Sequence, residues 1–180
     1  VEPDPTARQA AQTRCSDLVP AINWLGDNAE DLTLHASSLD AIICLDSAYH
    51  FPNREKLYPQ WHQALDHGGT LVMTDVALPE TSSGSVLQRA APLFDIPSEN
   101  LTTVQEREDT LRSAGFARIT VEDLTEEVIA GFASSWRRAW KANRSRPDGS
   151  WLRYRITAAA CRYVHRSGAL RYVMLQATKA

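Results

Sequence analysis

The chain has 180 residues, 43% of them hydrophobic and 23% charged, with a formal net charge of -3. That is long enough for one substantial core and ordinary for a globular domain, and the evenly mixed charge gives no whole-domain reason to expect nucleic acid or a membrane as partner. The longest unbroken apolar run, Ala41 to Leu45, is too short to cross a bilayer, and the opening VEPDP has no signal-peptide pattern, so the expected location is the cytoplasm. Cys15, Cys44 and Cys161 stand far apart with no C-x-x-C pair, which points to reduced thiols and to no metal site.

A helix is predicted over Thr6 to Cys15, then a short strand at Ile22 to Leu25 and a polar loop, GDNAEDL. The continuous apolar stretch from Asp40 to Leu45 suits a strand covered on both faces, as in a parallel sheet. From Arg54 to Leu65, Leu57, Trp61 and Leu65 recur every four residues, as an amphipathic helix requires. Pro59 must sit in its first turn or kink it, and Gly68-Gly69 is read as its end. Thr70 to Val76 follows as a second apolar strand, giving a βαβ unit. Residues Pro79 to Leu101 suit an irregular connection with one short helix. Thr103 and Glu106 form a capping box for a helix that ends near Gly115, and Phe116 to Val121 alternates as a strand with one wet face. A helix from Glu126 to Asn143 gathers basic residues near its end, where they suit the helix dipole. Another near Arg155 to His165 and a strand from Leu170 to Thr178 complete the chain.

Three pieces, INWLGDNAEDL, LDAIICLDSAYHF and LDHGGTLVMTD, followed by an A-G-F turn and a closing strand ending in A-T-K, resemble class I methyltransferases of the small-molecule type. The resemblance implies a Rossmann-like α/β domain, its mostly parallel sheet ending in an antiparallel final strand. It further implies S-adenosyl-L-methionine as cofactor and a small, hydrophobic substrate. The chain then reads as a single partial domain over 1–180, truncated on its amino-terminal side, with residues 79–101 and 124–153 as lid or substrate-side insertions. Val1, standing where a natural start would have Met, fits that expectation.

On the cofactor side, Glu2 corresponds to the acid that takes both ribose hydroxyls, with Asp4 as runner-up because Pro3 and Pro5 blur the register. Asn28 and Ala29, with Asp27 beside them, match the positions that read the adenine ring. An Asn carbonyl accepts as well as the family's usual Asp, and an Asx turn is the alternative reading. Leu45 and Asp46 match the backbone that touches the methionine part. Beyond them, His50 faces the methyl group in the family and has the acidity of a general base, or it serves only to bond its own loop. Tyr49 and Asp75 are the candidate substrate residues, Asp75 orienting either a substrate hydroxyl or His50. His35, His62, His67 and His165 read as structural. Trp136, Trp140 and Trp151 read as core, with an aromatic lid as the alternative.

The family's G-x-G-x-G loop is absent from these 180 residues. One expectation is therefore an incompetent portion of a methyltransferase, inactive alone. Another is a non-catalytic binding or partner subunit that self-associates through an exposed sheet edge, and a nucleotide-binding dehydrogenase is a remoter third.

Overall fold

The computed structural model describes residues 1–16, 22–81, 85–142 and 149–180, and among these the side chains of all but 85, 86, 140–142 and 149–151. Trp140, Trp151 and the predicted helix end at Asn143 therefore lie outside the described part. Two compact units emerge, Val1–His35 and Ala36–Ala180.

In the first unit, α1 (Pro5–Cys15) is capped by Asp4, whose carboxylate accepts from Ala7 N–H at 2.7 Å, while Pro5 occupies a position whose N–H has no helical partner anyway. The Arg8 guanidinium donates to the carbonyls of Glu2 at 2.6 Å and Pro3 at 3.3 Å. It also lies against Gly26, where a Cβ would meet it at 2.8 Å. The strand predicted at Ile22 to Leu25 does not form. Glu2 N–H donates to Leu25 C=O at 2.9 Å, but no ladder follows, and the segment belongs to no sheet. A strand exists only through its neighbours, and this one has a single rung.

The second unit is built on a four-stranded sheet in the order β1-β2-β4-β3. β1 (Leu39–Cys44), α2 (Arg54–Ala64) and β2 (Leu65–Ala77) make the predicted βαβ unit, with β1 and β2 parallel. β4 (Arg171–Lys179) lies between β2 and β3 (Phe116–Asp123) and runs antiparallel to both. Three strands thus point one way and only the last is reversed, the expected Rossmann-like arrangement. β1 forms an edge of this sheet, leaving Ile43 69% and Leu45 59% exposed.

Gly68 and Gly69 do not end α2, which closes at Ala64; they lie inside β2. The register jumps there, from Leu39 opposite Leu65 to Ala41 opposite Thr70. Gly68 takes φ +79, and a Cβ on Gly69 would sit 2.8 Å from the Asp66 carbonyl, so this bulge needs glycine at both places. Pro59 falls in the second turn of α2, past the first-turn position expected for it.

α4 (Val104–Ser113) has its capping box in full: Glu106 N–H donates to Thr103 Oγ1 at 3.2 Å and Thr103 N–H to Glu106 Oε2 at 2.8 Å. Between β2 and α4, α3 (Ser85–Ala90) and two single 3-10 turns form the irregular connection. A π-helical turn at Glu126–Ala130 leads into α5 (Gly131–Ala142), and α6 (Gly149–Ser167) returns the chain to β4.

Side chains alternate across β2. Leu71, Met73 and Asp75 point to the face covered by α2 and α4, where Leu57, Tyr58, Trp61 and Leu111 are buried. Thr74 and Val76 point to the other face, where a second cluster gathers Val76, Leu78, Ala91, Leu101, Ile129 and Tyr172.

Candidate functional site

On that second face a cavity of about 440 Å3 opens beyond the carboxyl ends of β1 and β2, the place where open α/β sheets take ligands. Its walls come from both segments expected to be insertions, through residues such as Leu87, Phe94, Ile129 and Phe132, and from Thr157, Cys161 and Val164 of α6. They are overwhelmingly apolar. Apart from Thr157, whose hydroxyl donates to the Arg153 carbonyl, the polar exceptions meet at one end, where Tyr172 and Tyr49 both donate to Asp46 Oδ1, Tyr49 across 3.4 Å. With its one proton given to Asp46, the Tyr172 oxygen accepts from Thr74 Oγ1 at 2.8 Å, and Thr74 in turn accepts from Asp46 N–H at 2.9 Å.

Asp46 holds φ +53, a left-handed conformation uncommon outside glycine, and the Thr74 and Tyr172 bonds keep it there. Burial, and then the bond to Asp46, pushes the Tyr172 phenol up to about 12. Burial, reinforced by the Asp46 charge, carries the Tyr49 phenol well above its usual range. Both hydroxyls therefore stay protonated at neutral pH and act as donors. Thr74 and Tyr172 went unread in the sequence, since only the β2–β4 register, which sets Val76 opposite Tyr172, brings them to Asp46.

The loop carrying these groups is clamped from behind. Asn100 is buried and its amide donates to the carbonyls of Tyr49 at 3.0 Å and Phe51 at 2.8 Å. Arg107 donates to the Asn100 carbonyl at 2.6 Å, and Arg54 donates to that of Ala48. Asp75 joins the two arginines. It takes a two-pronged contact from Arg54, at 2.7 and 3.2 Å, and Arg107 Nε lies 3.0 Å from it, a charge contact out of line for a hydrogen bond. The carboxylate is 1% exposed and faces the helices. The role expected of Asp75, orienting a substrate hydroxyl or His50, does not fit this placement: residue 75 has the wrong parity on β2, and the neighbour that lines the cavity is Val76.

His50 is exposed and stands outside the cavity wall, with its ring edge-on to Tyr49 at 4.4 Å between centroids. Its Nδ1 lies 2.7 Å from the Asp95 carbonyl. A carbonyl only accepts, so Nδ1 carries the proton and Nε2 is left with a lone pair. Leu45 is exposed, and its carbonyl accepts from Ser47 at 2.9 Å. His165 pairs with Glu126 at 2.6 Å, and His62 packs edge-on against Phe116, both in keeping with structural roles.

Glu2, Asp27, Asn28 and Ala29 belong to the first unit. There the bond from Glu2 to Leu25 sets the acid beside the start of the GDNAEDL loop. Asp4 caps α1, and Glu2 Oε1 in turn accepts from Asp4 N–H at 3.0 Å, so each of the two acids has one oxygen engaged by backbone. Asn28, exposed at the start of a 3-10 turn, donates its amide to Asp31 at 2.8 Å, leaving its carbonyl oxygen to accept. Ala29 follows with its N–H in the first turn, and Asp27 is exposed at the bend before it. A carboxylate and an amide oxygen are acceptors of the kind that ribose hydroxyls and an exocyclic amino group could use.

Residues 1–73 match the family model described as a methyltransferase domain. The sarcosine/dimethylglycine N-methyltransferase of Halorhodospira halochloris is 31% identical over 100 residues, covering 55% of this chain and 35% of that protein. The O-methyltransferase cnsE of Penicillium expansum is 30% identical over 123 residues, covering 67% of this chain and 44% of that protein. The chain thus spans less than half the length of these curated relatives. Among solved structures, a Galdieria sulphuraria protein described as a sarcosine dimethylglycine methyltransferase aligns with TM-score 0.86 over 99% of this chain and 68% of that one, at 12% identity. A geranyl diphosphate methyltransferase in complex with its cofactor aligns with TM-score 0.69 at 16% identity. The sequence match runs through the strand and loop that carry Asp46 and the fold is shared along nearly the whole length, so the chain is similar in sequence and in fold to the class I S-adenosylmethionine-dependent methyltransferases.

Proposed function

We propose that this chain is the acceptor-side portion of an enzyme that methylates a small, mainly hydrophobic molecule bearing one O–H or N–H group. The observation that carries this reading is the Tyr172–Asp46–Tyr49 cluster at one end of an otherwise apolar cavity. The apolar walls bind the body of the acceptor by removing it from water. Asp46 accepts the acceptor's hydrogen bond, and the two phenols hold that carboxylate in place. Along its backbone the same residue marks where the family holds the methionine part of the cofactor, so one residue fixes the acceptor beside the donor.

Bound S-adenosylmethionine supplies an electrophilic methyl group on sulfur. The methyl group would pass to the acceptor atom, and this chain's part would be to hold that atom in place and to take its proton. His50 has a free Nε2 for that task, whereas Asp46 has the direct view of the cavity. Glu2, Asn28 and Ala29 would hold the adenosine end. The 180 residues alone are proposed to be inactive, because no G-x-G-x-G loop stands among them to hold the rest of the cofactor.

The test uses the complete protein with radiolabelled cofactor and a panel of hydrophobic alcohols, phenols and amines. Asp46→Asn should raise the acceptor KM and lower turnover. His50→Ala should lower kcat by roughly a hundredfold or more with cofactor affinity unchanged. No labelled product from any member of the panel, or turnover of both variants within about threefold of the parent, would remove this assignment.

A further inference from the structure

α6 is a helix with two occupied faces. Thr157, Ala160, Cys161 and Val164 line the cavity. At 3.6 residues per turn, Leu152, Ile156, Ala159 and Tyr163 fall on a stripe turned away from it, and all four are exposed, Leu152 by 56%, Ile156 by 54% and Tyr163 by 65%. Arg155, Arg162 and Arg166 run along the flank of that stripe. Arg137 of α5 joins Arg162 and Arg166 around a shallow groove of about 130 Å3 between the two helices. Across the described side chains of α5 and α6 there are six arginines and no Asp or Glu, in a chain whose net charge is -3. Arg137, Arg162 and Arg166 have no ion-pair partner among the described residues.

We infer that the outer face of α6, with the Arg137–Arg162–Arg166 groove, docks on an anionic lipid surface. Large apolar side chains in a row with cations alongside are what an interfacial helix needs: the apolar row enters the acyl boundary and the arginines meet lipid phosphates. No described helix is long and apolar enough to span a membrane, so the contact is peripheral. Nucleic acid would use the arginines but has no call on Leu152 and Ile156. A two-fold pair of copies through this face would set like charges against each other. The average over the whole chain, which argues against a membrane, conceals this segregation of charge onto one hairpin. Docking there would set the acceptor cavity, on the neighbouring face of the same helix, within one helix diameter of the lipid, a short path for a hydrophobic acceptor.

The experiment is flotation of the 180-residue chain with vesicles of phosphatidylcholine alone and of phosphatidylcholine with phosphatidylserine at about two to one. Binding is expected only to the anionic vesicles and should weaken as salt rises. The combined variant Arg137→Gln/Arg162→Gln/Arg166→Gln should lose about a hundredfold in partitioning, at about fivefold per cation. Leu152→Ser/Ile156→Ser should weaken binding without altering its salt dependence. These side chains are exposed, and circular dichroism checks that each variant keeps its helices. Failure to bind anionic vesicles, equal binding to both compositions, or unimpaired binding by the triple variant would overturn the inference. So would salt-sensitive binding to polyglutamate or DNA without binding to vesicles, or a dimer that buries Tyr163.

Discussion

Replacing Asp75 with Asn removes one charge from a fully enclosed polar cluster and changes almost no volume. Arg54 and Arg107 would remain, their side chains 4% and 5% exposed, with no carboxylate within reach. Breaking a buried ion pair from one side typically costs about 3–5 kcal/mol, because the orphaned charge cannot return to water. Two guanidiniums share this carboxylate, so the upper part of that range applies. Against a total stability of about 5–15 kcal/mol, this is a large fraction. With a urea slope of about 2 kcal/mol per molar, the unfolding midpoint should fall by about 2–2.5 M. Urea titration of the parent and Asp75→Asn, followed by circular dichroism, measures this directly. Glu108→Gln is the control: its partner Arg112 is exposed on the surface of α4, and the midpoint should not move. A drop under about 0.5 M for Asp75→Asn would show that the cluster is not what clamps the Tyr49 loop, and the frame described for the site would fail.

Three further outcomes follow from the same geometry. The Tyr172 phenol is raised from the ordinary value near 10 to about 12, so its contribution to stability is complete below the unfolded value and is lost as pH climbs through the folded one. Tyr172→Phe should therefore show a shallower loss of stability between pH 10 and 12 than the parent, and an identical slope would place Tyr172 outside the Asp46 cluster. Burial, with Asp75 nearby, pushes the Cys44 thiol up to about 11, so in the native chain at neutral pH it should resist iodoacetamide while Cys15 reacts. Peptide mass spectrometry reads the difference, and equal labelling would mean that β1 opens to solvent. Finally, Gly115 takes φ +101 with the His62 ring 2.9 Å from where a Cβ would sit, so Gly115→Ala should destabilise by about 1–3 kcal/mol in the same urea assay. No change would show that the α4–β3 turn relaxes freely.

Much of this was legible in advance because it is local. The capping box at Thr103, the glycine stop at Gly115 and the apolar run of β1 each carry their own signal within a few residues. Ile22 to Leu25 carried the same kind of signal and misled, since a β-favouring run becomes a strand only if a neighbour supplies its rungs. Gly68-Gly69 misled for a related reason: a glycine pair reads as a stop, but here it allows a bulge inside a long strand. The loop after β1 was singled out by resemblance alone, and in it Tyr49 donates to Asp46. Asp75 was misassigned because strand parity decides which face a side chain takes, and a shift of one residue reverses it. Tyr172 lies 126 residues from Asp46 and reaches it only because β4 inserts beside β2, a pairing no local pattern reveals.

On the proposed function, these residues would carry an acceptor cavity but not a sufficient grip on S-adenosylmethionine. Calorimetric titration of the 180-residue chain with S-adenosylmethionine, paired with a melting curve at saturating ligand, tests it most directly. The account predicts no saturable heat at micromolar concentration and an unmoved melting temperature. Any ligand that binds only the native state adds about 2.7 kcal/mol at a hundredfold excess over Kd, a shift no melting curve would miss. Saturable micromolar binding by a monomer, with the melting temperature raised, would show that Glu2, Asn28 and the Asp46 loop suffice, and the claim would fall.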